Sequence, residues 1–259
     1  MSDTSAKATG PRILILGGTA AARKLAGFLV DAGYRPISSL AGRVSSPKPV
    51  PGEMRVGGFG GASGLFTWLQ EHPVSAVVDA THPFAAQISA NAVVAAHKAQ
   101  LPIYRLRRTS WRERPDADSW HWVDSHEAAS ALAGQYFGPI LLTVGRQELN
   151  RYLGLLETGQ QVIARVADGS TIEVPDSWVL LEARGPFSYE HELRLCQNYG
   201  IKTIISKDSG GPMTSAKLDV AADLGLKMIM IARPELPAVD EEVDSAAEIL
   251  QLLNQRFNR

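Results

Sequence analysis

Residues able to hold or move charge gather in a few short stretches of this 259-residue chain. Thr81 and His82 lie in DATHPF, Asp79 to Phe84, directly after an apolar run. An imidazole there can hydrogen-bond a ligand or give up a proton near neutral pH; equally, Thr81 can cap a helix and His82 can be structural. Pro83 sets the entry to the next helix, close to its first position. Lys207 to Pro212, KDSGGP, follows a second apolar run. Lys207 and Ser209, with Gly210 and Gly211, can make a backbone concavity for a carboxylate or phosphate. Arg105, Arg107, Arg108, Arg112 and Arg114 are concentrated near the middle of the chain, beside Trp111, Trp120 and Trp122. Such a group is either a solvated surface or a receiver for a ligand with many carboxylates, and the indoles could stack on a flat one.

Upstream, Ile13 to Thr19 reads ILILGGT. Four aliphatic residues in a row suit a strand buried on both faces of a parallel sheet. Gly17 and Gly18 allow a tight turn, and the helix predicted over Ala20 to Val30 would aim its unpaired N–H groups at an anion above them. The pattern is G-G-T-x-x-A rather than the full G-x-G-x-x-G, and a βαβ unit can turn on glycines without a ligand. At the end of the second strand an NAD-binding chain usually carries a carboxylate for the ribose. Here Ser38, Ser39 and Arg43 stand instead, and no carboxylate comes before Glu53. Hydroxyls with a guanidinium suit a 2′-phosphate, which favours NADPH over NADH; the plainer reading of Arg43 is a solvated side chain in a Pro-rich loop. Gly57 to Gly61, GGFGG, can lie flat against a ligand or form a flexible turn.

Composition excludes several classes. Lys+Arg 26 against Asp+Glu 27 leaves a formal charge of -1, so no global field recruits nucleic acid or a membrane. The single cysteine, Cys196, permits no internal disulfide and no cysteine-built metal site. The six histidines show no H-E-x-x-H spacing, and no serine sits in a G-x-S-x-G elbow. No apolar run approaches membrane-spanning length, and the polar first ten residues read as a frayed tail, not a signal peptide. A cytoplasmic protein is expected.

The elements that must position these residues alternate. Strands are predicted at Arg35 to Leu40, Glu53 to Val56, Ala76 to Asp79 and Pro102 to Leu106, with helices around Leu65 to Leu69 and over Ala85 to Ala99. After the polar stretch Arg105 to Asp118 the pattern restarts. Strands are expected at Ile140 to Val144, Gln161 to Val166, Trp178 to Glu182, Thr203 to Ser206 and Leu226 to Ala232. Helices are expected over Asp124 to Ala133, Gln147 to Leu156, Phe187 to Tyr199, Thr214 to Leu224 and Ser245 to about Phe257. Strands alternating with helices across short connections imply α/β architecture with doubly wound parallel sheets. The expected organisation is a disordered tail over 1–11, a cofactor-binding Rossmann-like domain over 12–108 and a second Rossmann-like domain over 109–259, with the active site in a cleft between them. No internal sequence repeat is evident.

Taken together, ILILGGT, SSLAGR, GGFGG with GLFTWL, DATHPFAAQISANA, YRLRR with Trp111, ARGPF, KDSGG and IARP resemble the precorrin-6A reductase family of cobalamin biosynthesis. The blocks run in the family's order from about Ile13 to Pro234, and DATHPFA with KDSGG is the most specific pair. One departure is Ala21, where the family commonly has an acidic residue. The resemblance implies two Rossmann-like domains, with strand exchange between their sheets compatible with it. It also implies NADPH-dependent reduction of one double bond of precorrin-6A to precorrin-6B, with neither flavin nor protein-bound metal.

On this view Gly17, Gly18 and Thr19 take the pyrophosphate, Ser38, Ser39 and Arg43 the 2′-phosphate, and Gly58 and Gly60 lie against the cofactor. Thr81, His82 and Phe84 sit between cofactor and macrocycle. Lys207, Ser209, Gly210 and Gly211 receive a propionate or acetate, aided by Arg184 or Arg108. His82, Lys207, Asp208 or solvent supplies the proton. The partner is a polycarboxylate tetrapyrrole, with transient contact to neighbouring pathway enzymes also compatible. Alternatives are the same reduction on cobalt-precorrin-6A, a non-catalytic NADPH-binding sensor, and a methyltransferase, which the missing acidic ribose ligand disfavours.

Overall fold

The structure is a computed structural model and describes residues 10–42, 49–167 and 173–258. Arg43 therefore lies outside the described residues. The chain divides into two compact units: unit 1 is Met1–Arg108 with Glu235–Arg259, and unit 2 is Thr109–Pro234.

Unit 1 holds β1 (Arg12–Leu16), α1 (Ala20–Asp31), β2 (Arg35–Leu40), β3 (Glu53–Val56), α2 (Gly61–Glu71), β4 (Ala76–Asp79), α3 (Ala86–Lys98) and β5 (Ile103–Leu106). Its sheet runs β3-β2-β1-β4-β5 and continues to a sixth strand described below. Every pairing is parallel, from Arg12 opposite Arg35 to Asp79 opposite Arg105. The uninterrupted aliphatic residues of β1 are buried because helices cover both faces. Ile13 and Ile15 pack with Leu25 and Leu29 of α1, while Leu14 and Leu16 pack with Leu65 of α2 and Val93 of α3. Burial on both sides removes the polar alternation that a one-sided strand would show.

Unit 2 repeats this order. After β6 (His121–Val123) and α4 (His126–Ala133) come β7 (Ile140–Thr143), β8 (Val162–Val166), β9 (Val179–Glu182), α5 (Tyr189–Asn198), β10 (Thr203–Lys207), α6 (Ala216–Asp223) and β11 (Lys227–Ile231). The sheet is β9-β8-β7-β10-β11-β6, again parallel throughout. Where the sequence spacing predicts an α-helix over Gln147 to Leu156, the chain forms a 3-10 helix over Arg146–Thr158 that buries Leu149, Tyr152 and Leu155. Two glycines bound it, Gly145 and the left-handed Gly159, and no side chain caps its start.

The expected domain limit at 109–259 is corrected by the last elements. β12 (Glu241–Val243) pairs with β5, Glu241 opposite Tyr104, and Ile249 and Leu253 of α7 (Ala246–Phe257) enter the core around α1. Residues from Glu235 onward thus complete unit 1. β6 and β12 were not expected from the sequence, since each has only three residues, too few to show a strand pattern. They are equivalent edges. Each ends in Val-Asp-Ser, at Val123 to Ser125 and Val243 to Ser245, a correspondence that sequence reading alone passes over. Both serines cap the following helix, Ser125 accepting from the Ala128 N–H and Ser245 from the Glu248 N–H. For α4 the cap is thus Ser125, one residue beyond the Asp124 that a capping box with Glu127 suggests. Among the described residues no helix is long and apolar enough to cross a membrane.

Candidate active site

In doubly wound sheets ligands gather beyond the carboxyl ends of the strands where the strand order reverses. In unit 1 that place lies beyond β1 and β4, with the end of β2 beside it.

The turn after β1 packs directly on the turn after β4. Gly17 has φ +122°, and a Cβ there would come within 2.6 Å of the Ala80 carbonyl oxygen. Its N–H donates to the Ser39 carbonyl at 3.0 Å, tying the turn to β2. Gly17 is therefore demanded by the protein's own backbone, whatever ligand comes. Gly18 is exposed. Thr19 caps α1: its Oγ1 accepts from the Ala22 N–H at 3.0 Å and donates to the Ala80 carbonyl at 3.1 Å. The first turn of α1 has no acidic residue, so the positive end of the helix dipole faces the turn uncompensated.

After β4, Asp79 is buried and anchors the DATHPF segment. It accepts from the Thr81 N–H and Oγ1, the latter at 2.7 Å, and from Arg105 Nε at 3.2 Å. Thr81 is thereby committed to Asp79, with Ser89 Oγ at 3.2 Å as a further contact. His82 Nδ1 accepts from the Phe84 N–H at 3.2 Å, which in the neutral ring puts the proton on Nε2. The rings of His82 and Phe84 lie 5.9 Å apart. α3 begins at Ala86, so Pro83 belongs to a turn closed by the Ala85 N–H on the His82 carbonyl, not to the first helical position.

At the end of β2 the two serines part company. Strand alternation turns Ser39 to the face of Leu16 and Ser38 to the face of Ile15. Ser38 is buried, and its Oγ finds no hydrogen-bond partner among the described residues. The pair therefore does not make a joint hydroxyl site. Arg55 supplies what the sequence reading missed. It lies opposite Ser39 in register, and its Nη1 donates to Ser39 Oγ at 3.2 Å. Nη1 also donates to the Gly57 carbonyl and Nη2 to that of Gly58, at 2.8 Å, while the guanidinium carbon lies 3.7 Å from the centre of the Phe59 ring. The signal was present in R-V-G-G-F, an arginine ahead of a glycine turn with an aromatic four residues on, but strand pairing was needed to place it beside Ser39. A Cβ at Gly58 or at Gly60 would meet nothing within 4 Å, so space for a ligand exists there.

In unit 2 the equivalent place lies beyond β7 and β10. Lys207 ends β10, and its Nζ lies 3.8 Å from where a Cβ on Gly145 would stand, at the turn after β7. His126, at the start of α4, has Nδ1 2.8 Å from the hydroxyl of the fully buried Tyr152 and Nε2 3.7 Å from Glu148. Burial pushes the His126 pKa down, Glu148 opposes this, and the positive charge of Lys207 adds to it. Burial, with Glu148 and Glu127, raises the Tyr152 hydroxyl far above its ordinary value.

Asp208 does not stand open to a ligand. Its carboxylate accepts from Ser110 Oγ at 2.6 Å and the Trp111 N–H at 2.9 Å and is ion-paired with Arg233, whose Nε lies 3.0 Å away and donates to the Asp208 backbone carbonyl. The carboxylate holds the 109–111 segment against the KDSGG turn. Ser209 is half-buried and Gly210 buried, with φ of +62° at Gly210 and +73° at Gly211. Arg184 is exposed, its Nε donating to the Ala167 carbonyl at 3.0 Å, at the same carboxyl edge of the sheet as the end of β10. Phe84 and Arg108 belong to unit 1, Arg108 just past the end of β5. Among the described residues no group of three or more His, Cys, Asp or Glu could hold a metal ion.

The fold defines a protein of two Rossmann-like α/β units with parallel six-stranded sheets. Residues 12–254 match the precorrin-6x reductase CbiJ/CobK family, and the chain belongs to it. A precorrin-6A reductase of Rhodococcus erythropolis is 45% identical over 237 residues, 91% of this chain and 94% of that protein. A cobalt-precorrin-6A reductase of Priestia megaterium is 30% identical over 86% of this chain and 91% of its own length. Among solved structures, a CobK precorrin-6A reductase superposes with a TM-score of 0.85 at 34% identity, covering 95% of this chain and 96% of that one.

Proposed function

We propose that the protein reduces one double bond of precorrin-6A with NADPH, giving precorrin-6B. The observation that carries this reading is the family match across residues 12–254, which takes in the glycine turn, DATHPF and KDSGG together. The metal-free substrate is preferred because the 45% identical relative is a precorrin-6A reductase, whereas the cobalt-precorrin-6A reductase is 30% identical.

The residues of unit 1 fit a phosphorylated nicotinamide nucleotide. Beyond the Gly17 turn, whose own N–H is held by the Ser39 carbonyl, Gly18 and Thr19 lead into the N-terminus of α1, which presents first-turn backbone N–H groups to a pyrophosphate. The Gly58 and Gly60 turn has open space for the adenosine half. Bound there, NADPH would supply the hydride. Thr81, locked to Asp79, fixes the backbone on which His82 and Phe84 stand, and neutral His82 carries its donor N–H on Nε2. In unit 2, Lys207 Nζ with the backbone turn at Ser209 to Gly211 receives a substrate carboxylate, and Arg184 is a further cationic contact; Arg108, in unit 1, is a separate candidate for a carboxylate. Reduction also needs a proton, which the Lys207 ammonium, His82 in its imidazolium form, or solvent can give; Asp208 is engaged by Ser110, Trp111 and Arg233. Catalysis is then mainly positioning. The reading also takes the protein to be cytoplasmic.

The test is an anaerobic single turnover with precorrin-6A and either NADPH or NADH, followed by absorbance. Loss of NADPH with a matching change in the tetrapyrrole spectrum is expected. NADPH bound but never oxidised, with either precorrin-6A or its cobalt form, would defeat the reductase reading. In the same assay His82→Ala should keep NADPH affinity and slow turnover; an unchanged rate makes His82 structural.

A further inference from the structure

We propose that Arg55 is the residue that selects NADPH over NADH, reading the 2′-phosphate together with Ser39 and offering its guanidinium face to the adenine. This deepens the cofactor reading of unit 1 and rests on it. The expectation built on Ser38, Ser39 and Arg43 loses Ser38 to the opposite face of the sheet. Arg55 replaces it by register.

Four observations converge on this side chain. Arg55 is paired with Ser39, one residue before β2 ends, where the ribose of a dinucleotide is read. Second, its plane is held on both sides of the fork. Nη1 bonds Ser39 Oγ and the Gly57 carbonyl, and Nη2 bonds the Gly58 carbonyl. A guanidinium held so firmly loses little further freedom when it meets a phosphate, and it meets one as a planar fork. Third, the guanidinium carbon lies 3.7 Å from the centre of the Phe59 ring, with Trp68 edge-on beside that ring at 5.9 Å from the guanidinium carbon. A cation already stacked on one aromatic ring is set to stack on a second, and adenine is such a ring. Fourth, no carboxylate pairs with Arg55 among the described residues, although Glu53, two residues earlier on β3, is taken by Arg12 at 2.9 Å and Arg35 at 3.6 Å. A partly buried guanidinium with no counter-ion among the described residues draws an anion. Burial lowers its pKa, yet a guanidinium keeps its proton in a protein, so the charge persists.

The geometry also predicts how selectivity divides between charge and shape. A lysine at position 55 would keep the charge but not the fork or the flat face, so it should rescue phosphate binding in part and stacking hardly at all. Removing the guanidinium should spare a dinucleotide that has no 2′-phosphate, apart from the lost stacking.

The experiment is titration calorimetry of the full-length protein and of Arg55→Met, Arg55→Lys and Arg43→Ala with NADPH, NADH, 2′,5′-ADP and 5′-AMP. Methionine keeps the aliphatic packing on Phe59. For Arg55→Met, NADPH and 2′,5′-ADP affinity should fall by about 100-fold and NADH and 5′-AMP affinity by less than about 5-fold, with Arg55→Lys between. NADH binding retained by Arg55→Met shows that the unit is folded. An equal loss for the phosphorylated and unphosphorylated nucleotides overturns the proposal, as does selectivity that survives Arg55→Met and vanishes in Arg43→Ala. If the unsubstituted protein binds none of the four nucleotides, the cofactor reading itself falls and this inference with it.

Discussion

Units 1 and 2 wind their strands in the same order, yet the turns at their equivalent strand ends are built differently. After β1 the chain enters a 12-residue α-helix with a threonine cap and no acidic first-turn residue, a ready anion site. After β7 it enters a 3-10 helix without a side-chain cap. Poorer dipole alignment and an uncapped start make that turn a weak place for a pyrophosphate. Unit 2 instead brings side-chain charge to its crevice, with Lys207 beside Gly145. On the proposed reading the same topology serves backbone recognition in one unit and side-chain recognition in the other.

The fourth strand of each core carries a second parallel. Asp79 ends β4 and is paired with Arg105 of β5; Asp208 follows β10 and is paired with Arg233 just beyond β11. Both carboxylates are buried and both fix the turn that bears the proposed ligand groups. They differ in their reserve of donors. Asp79 has Arg105 and Thr81, a residue of its own turn, whereas Asp208 also holds Ser110 and the Trp111 N–H from a distant segment.

The sharpest break of this comparison is therefore Arg105→Ala against Arg233→Ala. Removing Arg105 leaves Asp79 buried with no counter-ion and should cost about 3–5 kcal/mol in urea unfolding. Arg233 is more exposed, and its removal leaves Asp208 the donors of Ser110 and Trp111 besides water, so the cost should be about 1–3 kcal/mol. Equal losses would mean that the two carboxylates are braced alike. Next comes Gly17→Ala against Gly145→Ala. At Gly17 a Cβ meets backbone at 2.6 Å, whereas at Gly145 it meets only the tip of Lys207 at 3.8 Å. With positive φ at both, the first should cost about 3 kcal/mol or more and the second about 1–2 kcal/mol, read as thermal unfolding shifts.

A third test concerns a buried lysine, which unit 1 does not hold among the described residues. Lys217 is buried against the Trp111 ring, donates to the Thr214 carbonyl at 2.7 Å and shares its surroundings with the buried Arg165–Glu192 pair. Burial, reinforced by Arg165, pushes its pKa down to about 7, with Glu192 opposing. The unfolded chain then holds a proton on this lysine between pH 7 and about 10 that the folded chain does not, so stability rises with pH in that window and is lost as pH falls toward 7. Relative to Lys217→Met, the unsubstituted protein should gain roughly 1–3 kcal/mol between about pH 7 and 9.5 in urea titrations. A difference that stays flat with pH would show a charged lysine in the fold. The smallest effect is expected from Thr19→Ala, about 1 kcal/mol through the lost cap, with a larger relative loss in NADPH affinity than in stability.

Much of the molecule was legible in the sequence because its signals are local. The aliphatic run of Ile13 to Leu16, the Gly17–Gly18 turn, the Ser245–Glu248 cap and the strand and helix alternation each depend on residues near one another in the chain. So did the order of motif blocks on which the family resemblance stood. The three-residue strands β6 and β12 left no such trace, because an edge strand is defined by the neighbour it pairs with and not by its own composition. For the same reason the return of residues 235–259 to unit 1 was decided only when Glu241 found Tyr104. Side-chain roles were settled at the same level. Alternation separated Ser38 from Ser39, three donors enclosed Asp208, and strand register set Arg55, which is sixteen residues away in sequence, against Ser39. Local spacing determines which elements form and where a chain can turn; which side chains then share a site is a matter of pairing and burial, and those exist only in the folded protein.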